Sequence, residues 1–344
     1  MQTYYHPDHI HHDPGVLPQP VGGSAGYYSE VAERGLILHA ALEAAAFGPI
    51  ATPRDHGMAP ILAVHAPPMV DFIRTAYARM ARETGREHVV VPENFAVWRA
   101  PGRVGKSIWA ELGHYCYDTS SPIFARTWDA AYWSAQCALS AAADVHAGAA
   151  VAYALCRPPG HHASRDLYGG FCYLNNAAIA AQWLADHGAR VAIVDVDYHH
   201  GNGTQAVFYA RRDVLFCSLH ADPDVDYPFY WGFADERGEG PGLGTNLNMP
   251  LPLGTTVDGY LAALDHALAY VGNFGADVLV LSLGFDTYVD DPVGGFRLVT
   301  ADYARVGERL AALGLPTVVV QEGGYCRPAL AANVTHFFTG FLGG

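Results

Sequence analysis

Charge is scarce in this chain: Asp, Glu, Lys and Arg make up only 16% of its 344 residues, and the basic ones are the minority, 20 against 34, for a formal net charge of −14. So little Lys and Arg leaves no basic face for a phosphate backbone, which argues against nucleic acid as a partner and suits a cationic one. Long hydrophobic runs are missing too. Stretches such as Ala276–Leu283 are interrupted by Asp, Gly or Ser, well short of the roughly 18 apolar residues a membrane span requires, so no membrane association is expected. The opening residues, Met1 to Asp8, lack the basic flank and apolar core of a secretory signal, so a cytoplasmic location is expected. No C-x-x-C pair occurs among the six cysteines. Neither a thiolate zinc site nor a disulfide framework is therefore suggested, and buried, reduced thiols are the reading.

What is present is apolar bulk, 51% of residues, enough for a large core. From about Ala149 short β-rich runs alternate with helical patterns, the signature of a largely parallel sheet with helices on both faces, an α/β fold. Predicted strands are Ala150–Ala154, Val191–Val194, Val214–Ser218, Val278–Ser282 and Thr317–Val320; predicted helices are Asn175–Ala185, Gly203–Ala210, Val257–Phe274 and Thr300–Leu313. The first 140 or so residues read as less regular, with helices at Ser29–Ala46 and Val70–Glu83 and an irregular insertion at Val91–Thr127. Gly102–Ser107 within it imitates a phosphate loop, but that motif needs Gly where Ala100 stands, so it reads as a surface turn.

In open α/β sheets chemistry collects beyond the carboxyl ends of the strands. After Val191–Val194 comes D-V-D-Y-H-H-G-N-G, Asp195–Gly203. If the strand continues, Asp195, Asp197 and His199 share one face, with Tyr198 and His200 on the other. Oxygen and imidazole donors so close together point to a metal. Four further strand ends carry Pro158-Pro159-Gly160-His161-His162, Ser218-Leu219-His220, Gly284-Phe285-Asp286-Thr287 and Glu322-Gly323-Gly324-Tyr325. Two Asp and one His form an open zinc site, whereas a structural zinc would be closed by four ligands. A neighbouring histidine can carry the proton of an attacking water, and a phenol can hold an oxyanion; His161, His162 and Tyr325 are the candidates for these roles.

These stretches resemble the histone deacetylase family of zinc amidohydrolases, most closely its acetylpolyamine amidohydrolase branch. The likeness is carried by R-P-P-G-H-H-A (Arg157–Ala163), Y-G-G-F-C-Y-L-N-N-A-A (Tyr168–Ala178), D-V-D-Y-H-H-G-N-G-T-Q (Asp195–Gln205), S-L-H, L-G-F-D-T (Leu283–Thr287) and E-G-G-Y. The resemblance implies an arginase/deacetylase-like fold and a single zinc-dependent deacetylase domain over residues 1–344. It implies Asp197, His199 and Asp286 as Zn2+ ligands, and Tyr325 as the phenol that polarises the carbonyl. His162 is then the proton shuttle and His161 its electrostatic partner. A structural K+ is implied at Asp195, Ser218 and the main-chain oxygens of Asp197, His199 and Leu219. Phe171 and Tyr227 would flank a channel in which Gly170 offers its carbonyl.

The implied substrates are small cationic acetylated amines such as acetylputrescine, acetylcadaverine and acetylspermidine. Glu111, Asp118, Asp222, Asp224 and Asp226 are candidates to attract the free ammonium. A homodimer through the 91–127 insertion is implied as well. Asn202 stands where some histone deacetylases have aspartate, so the second tandem histidine should be less basic. No counterpart is evident for the early-loop aspartate with which many protein deacetylases grip a peptide. An acetyl-lysine protein deacetylase and, more remotely, a dimetal ureohydrolase are the alternatives, and the ligand set leaves iron and cobalt open beside zinc.

Overall fold

The computed structural model describes residues 1–18, 28–96 and 103–343. Eight strands form its sheet: β1 (Gln2–Tyr4), β2 (Ile50–Ala51), β3 (Val151–Ala154), β4 (Val191–Asp195), β5 (Val214–Ala221), β6 (Asn246–Leu251), β7 (Val278–Leu283) and β8 (Thr317–Gln321). They lie in the order β2-β1-β3-β8-β7-β4-β5-β6, and every pairing is parallel. Ten α-helices accompany them among the described residues: α1 (Ala32–Ala45), α2 (Ala59–Val64), α3 (Pro67–Thr84), α4 (Ile108–Tyr115), α5 (Thr127–His146), α6 (Asn176–Asp186), α7 (Asn202–Phe208), α8 (Val257–Phe274), α9 (Asp302–Ala311) and α10 (Arg327–Gly343).

Successive strand residues face opposite sides of a sheet, and here each side is covered. Ile193, Phe216, Val280 and Val320 pack with residues of α2 to α6, whereas Val194, Cys217, Leu281 and Val319 pack with residues of α1, α8, α9 and α10. This is why the central strands read as unbroken apolar runs rather than as alternation. All five strands expected from the sequence are present, most of them extended by a residue or more.

The first 140 residues are more regular than the sequence suggests. β1 and β2, three and two residues long, are too short to show a period yet extend the same sheet. α5 has almost no polar face: Ala130, Ala131, Ala135, Ala138, Leu139, Ala141 and Ala142 are all buried, so the stripe that reveals a surface helix is missing. The same holds for α10, which buries Phe337, Phe338 and Phe341. The expected 91–127 insertion contains α4, and its residues 97–102 lie outside the described residues. Gly102 of the imitation phosphate loop is among these; Ser107, at its other end, caps α4, its Oγ accepting from Trp109 N at 3.3 Å. Five cysteines are buried and free, and Cys326 is partly exposed. No helix among the described residues is long and apolar enough to cross a membrane.

Candidate metal and catalytic site

β4 and β7 are neighbours, with Asp195 opposite Ser282, so the segments leaving their carboxyl ends meet. The strand does not continue to His199 as the alternation assumed: β4 ends at Asp195. A two-residue stepping replaces it. Asp195 Oδ1 accepts from Asp197 N at 3.1 Å, and Asp197 Oδ1 accepts from His199 N at 3.0 Å. Such local carboxylate-to-amide bonds compete with a sheet ladder and turn the chain. They keep the even-numbered spacing useful, since Asp197 and His199 still converge.

They converge on Asp286. Ligand atoms of Asp197, His199 and Asp286 lie within 4.8 Å of one another, the only such grouping of three or more His, Cys, Asp or Glu found among the described residues. His199 Nδ1 is 3.1 Å from Asp286 Oδ2 and 3.4 Å from Asp197 Oδ1. Two glycines permit this crowding. A Cβ on Gly284 would collide with Asp197 Oδ2, and one on Gly323 with Oδ2 of both Asp286 and Asp197. Burial, then the charge of Asp197, raises the Asp286 carboxyl to about 7, against the opposing bond to His199. Two buried carboxylates in contact are costly without a cation, so this donor set fits a metal ion with one imidazole and two carboxylate ligands.

His161 and His162 sit beside this cluster with ring centroids 4.1 Å apart, yet their environments push them in opposite directions. His161 Nδ1 is 3.0 Å from Asp195 Oδ2, and its Nε2 is 3.7 Å from Asp197 Oδ1. Burial lowers its pKa, but Asp195 and Asp197 outweigh that and raise it to about 10. His162 Nδ1 is 2.6 Å from Asn202 Oδ1, a neutral partner. Burial, then the neighbouring His161 and His199, holds His162 well below the usual range. The carboxylates beside His161 thus favour its charged form, while burial and His161 itself favour the neutral form of His162. The backbone leading into the pair is held by a third group: Glu322 Oε2 accepts from Gly160 N at 2.7 Å and His161 N at 3.2 Å.

A pocket of about 670 Å³ opens onto this cluster, with His162, His199, Gly170, Phe171, Tyr227 and Tyr325 in its wall. His161 and the two metal-site carboxylates lie behind that wall. The rings of Phe171 and Tyr325 meet edge to face at 5.4 Å. Gly170 has φ +57° and a Cβ there would strike the His162 ring, which explains glycine at this point. Ser218 lies beside Asp195 in the β4–β5 register, and its Oγ bonds His220 Nδ1 at 2.8 Å; Leu219, next along β5, is buried. His200 turns away from the cluster and bonds Gln205 Oε1 at 3.1 Å. Near the N-terminus, His9 and His12 are buried against Arg157 and Thr127.

Several acidic expectations change. Glu111 does not face the pocket as a free charge, because Arg79 clamps it through two bonds of 2.6 and 2.8 Å. Asp224 is exposed and lies outside the pocket wall, and so does the half-buried Asp222, whose Oδ1 accepts from Asp224 N. Asp118 and Asp226 line it. Of the five acidic candidates, these two are the ones that reach the wall. Asp118 accepts four bonds: Ser120 N (2.9 Å) and Ser120 Oγ (2.8 Å) on Oδ1, Gly170 N (2.8 Å) and Tyr227 Oη (2.9 Å) on Oδ2. Two contributors escaped the sequence entirely. Arg34, 1% exposed on α1, sits 4.5 Å from the Tyr325 ring centroid and donates to the carbonyls of Gly324 and Glu322. Asp291 accepts from the amides of Tyr325 and Cys326. An arginine on an ordinary helix and an aspartate in a Pro-Gly turn carry no local mark of such placement.

Comparison with known proteins agrees with this geometry. Residues 28–341 match the Histone deacetylase domain. The chain is 46% identical to Acetylpolyamine amidohydrolase 1 of Pseudomonas aeruginosa over 100% of this chain and 99% of that protein. It is 47% identical to the Acetylpolyamine amidohydrolase of Burkholderia pseudomallei over 99% of this chain and 98% of that one. A crystal structure of acetylpolyamine aminohydrolase from Burkholderia pseudomallei superposes with a TM-score of 0.91 at 46% identity, covering 99% of this chain and 98% of that one.

Proposed function

The chain belongs to the histone deacetylase family, and from that premise we propose that it hydrolyses the acetyl amide of small acetylated amines, acetylpolyamines first, releasing acetate and free amine. Acetylputrescine, acetylcadaverine and acetylspermidine are the substrates of choice. The observation that carries the reading is the meeting of Asp197, His199 and Asp286 with His162 and Tyr325 at one end of an aromatic-walled pocket. The whole chain acts as one deacetylase domain.

Asp197, His199 and Asp286 would hold Zn2+, which when bound supplies Lewis acidity to the acyl carbonyl and lowers the pKa of water. The rest of the chemistry belongs to side chains. Neutral His162, with Nδ1 committed to Asn202, takes a proton at Nε2 from the attacking water and returns it to the leaving amine nitrogen. His161, kept protonated by Asp195 and Asp197, favours the negative charge that builds during attack. The Tyr325 phenol donates to the developing oxyanion; burial raises its pKa well above the usual value, so it keeps its proton for that bond. Asp195, Ser218 and the main-chain oxygens of Asp197, His199 and Leu219 would hold a structural K+, an all-oxygen set suited to a hard cation.

Asp118 supports a small-amine substrate. Its charge lies in the pocket wall, where a carboxylate attracts a cationic chain. Gly170, Phe171 and Tyr227 shape a channel for a slender chain, and the acidic balance favours a cationic one. We further propose a cytoplasmic homodimer formed through the 91–127 insertion, with no nucleic-acid or membrane partner. Turnover on acetylputrescine, acetylcadaverine and acetylspermidine, set against an acetyl-lysine peptide, tests the assignment; a strong peptide preference would overturn it.

A further inference from the structure

Tyr325 stands on a glycine pair. Gly324 adopts φ +111°, a region open to glycine, so the backbone that carries the phenol has little intrinsic preference for one direction. Its carbonyls are held from one side: Arg34 Nε donates to Gly324 O at 2.6 Å and Arg34 Nη2 to Glu322 O at 2.8 Å. Its amides are held from the other side by a single carboxylate. Asp291 Oδ2 accepts from Tyr325 N at 2.6 Å and from Cys326 N at 2.9 Å, while Oδ1 accepts from Val293 N at 3.1 Å. Asp291 is only 6% exposed, and it is absent from the pocket wall that its neighbours Pro292 and Val293 help to form.

We propose that Asp291 is a positioning residue for the Tyr325 phenol, fixing the phenol's backbone to the Pro292–Val293 wall of the channel. The inference rests on the role assigned to Tyr325 above. The chemistry suits the task. A carboxylate accepting several amide bonds is a strong, charge-assisted anchor, and the two amides it takes from this segment lie just ahead of α10, where negative charge is favoured. Wall and phenol leave different strands, β7 and β8, so without this link the substrate chain and the oxyanion donor would be set by independent loops. With it, one side chain fixes their separation. An oxyanion donor must lie within hydrogen-bond reach of where charge develops, and a misplacement of about 1 Å costs on the order of 100-fold in rate.

The test is a double-mutant cycle on the zinc-loaded enzyme with an acetylated diamine. Asp291→Asn keeps the volume but loses the charge and faces one amide donor with another. Expected are a fall in kcat of roughly 10- to 100-fold, a KM within about threefold of the native value and unchanged metal content. In the Tyr325→Phe background the same substitution should cost less than about threefold, because the phenol through which it acts is gone. An undiminished cost in that background, or native kcat in the single variant, overturns the proposal. If Tyr325→Phe itself turns over at the native rate, the assigned role of the phenol fails instead, and the two failures are thereby told apart. Should Asp291→Asn not fold, Asp291→Glu, which keeps the charge and displaces the amides, runs the same cycle with the same criteria.

Discussion

Replacing Asn202 by aspartate tests which histidine moves the proton. Asn202 Oδ1 lies 2.6 Å from His162 Nδ1, and both residues are buried, at 7% and 3% exposure. A carboxylate there puts a negative charge about 4 Å from the centre of the imidazolium. At an effective dielectric of about 20 this is worth about 4 kcal/mol, or about three pH units at 1.36 kcal/mol each. The cost of desolvating the new carboxylate reduces it, so a rise of roughly one to three units is expected. The sign follows from the proposed role: as the proton acceptor His162 would work only when neutral, so a higher pKa means loss of activity begins at a higher pH. The acid limb of kcat/KM should move upward, because it follows His162, whose pKa burial and the neighbouring His161 hold below the ordinary histidine range. The assay is kcat/KM for an acetylated diamine across the acid and neutral range, with metal content measured on the same samples. An acid limb that stays or moves downward, with metal retained, would refute the assignment and turn attention to His161.

Tyr325→Phe should lower kcat by roughly two to three orders of magnitude, the scale of one lost oxyanion donor, with metal still bound; steady-state kinetics and elemental analysis together decide it. Asp286→Ala should lose metal and activity together, and full zinc in the purified variant would mean the ligand set is misplaced. Gly323→Ala should act like a ligand mutation although it touches no ligand atom chemically, because its Cβ would displace the carboxylates of Asp197 and Asp286. Equilibrium dialysis should show weakened zinc binding of the folded protein, and unchanged affinity would show that the cluster has room to spare.

The parts of the site visible in the sequence share one property. Asp195, Asp197, His199, His161, His162, Asp286 and Tyr325 all follow apolar runs that must be buried, and costly polar groups in such places declare themselves. What stayed hidden depends on packing across the fold. Arg34 reads as a solvated residue on an ordinary helix, and only the placement of α1 against the β8 loop puts it under Tyr325. Glu111 looks like a free charge until Arg79, on another helix, is seen to hold it. Asp118 is spoken for by groups as distant as Gly170 and Tyr227. In the fold the limit was similar: β1 and β2 are too short for a period, α5 and α10 too uniformly apolar for a stripe, and the turn after Asp195 preserved alternation without being a strand.

The strand order carries a consequence for how the protein comes to be active. His199 and Asp286 stand 87 residues apart in the chain and are joined by the pairing of β4 with β7, while the segment carrying Tyr325 arrives on β8, the last strand to be synthesised. Contacts of such long range form late, because loop closure costs entropy before packing returns it. A chain emerging during synthesis therefore holds the tandem histidines and the D-V-D-Y-H segment long before it can hold a complete three-ligand site. On the proposed ligand set, metal uptake becomes a clock for assembly of the sheet's centre: stopped-flow refolding with a zinc indicator should show the ion captured in the slowest phase, together with the final burial of the core.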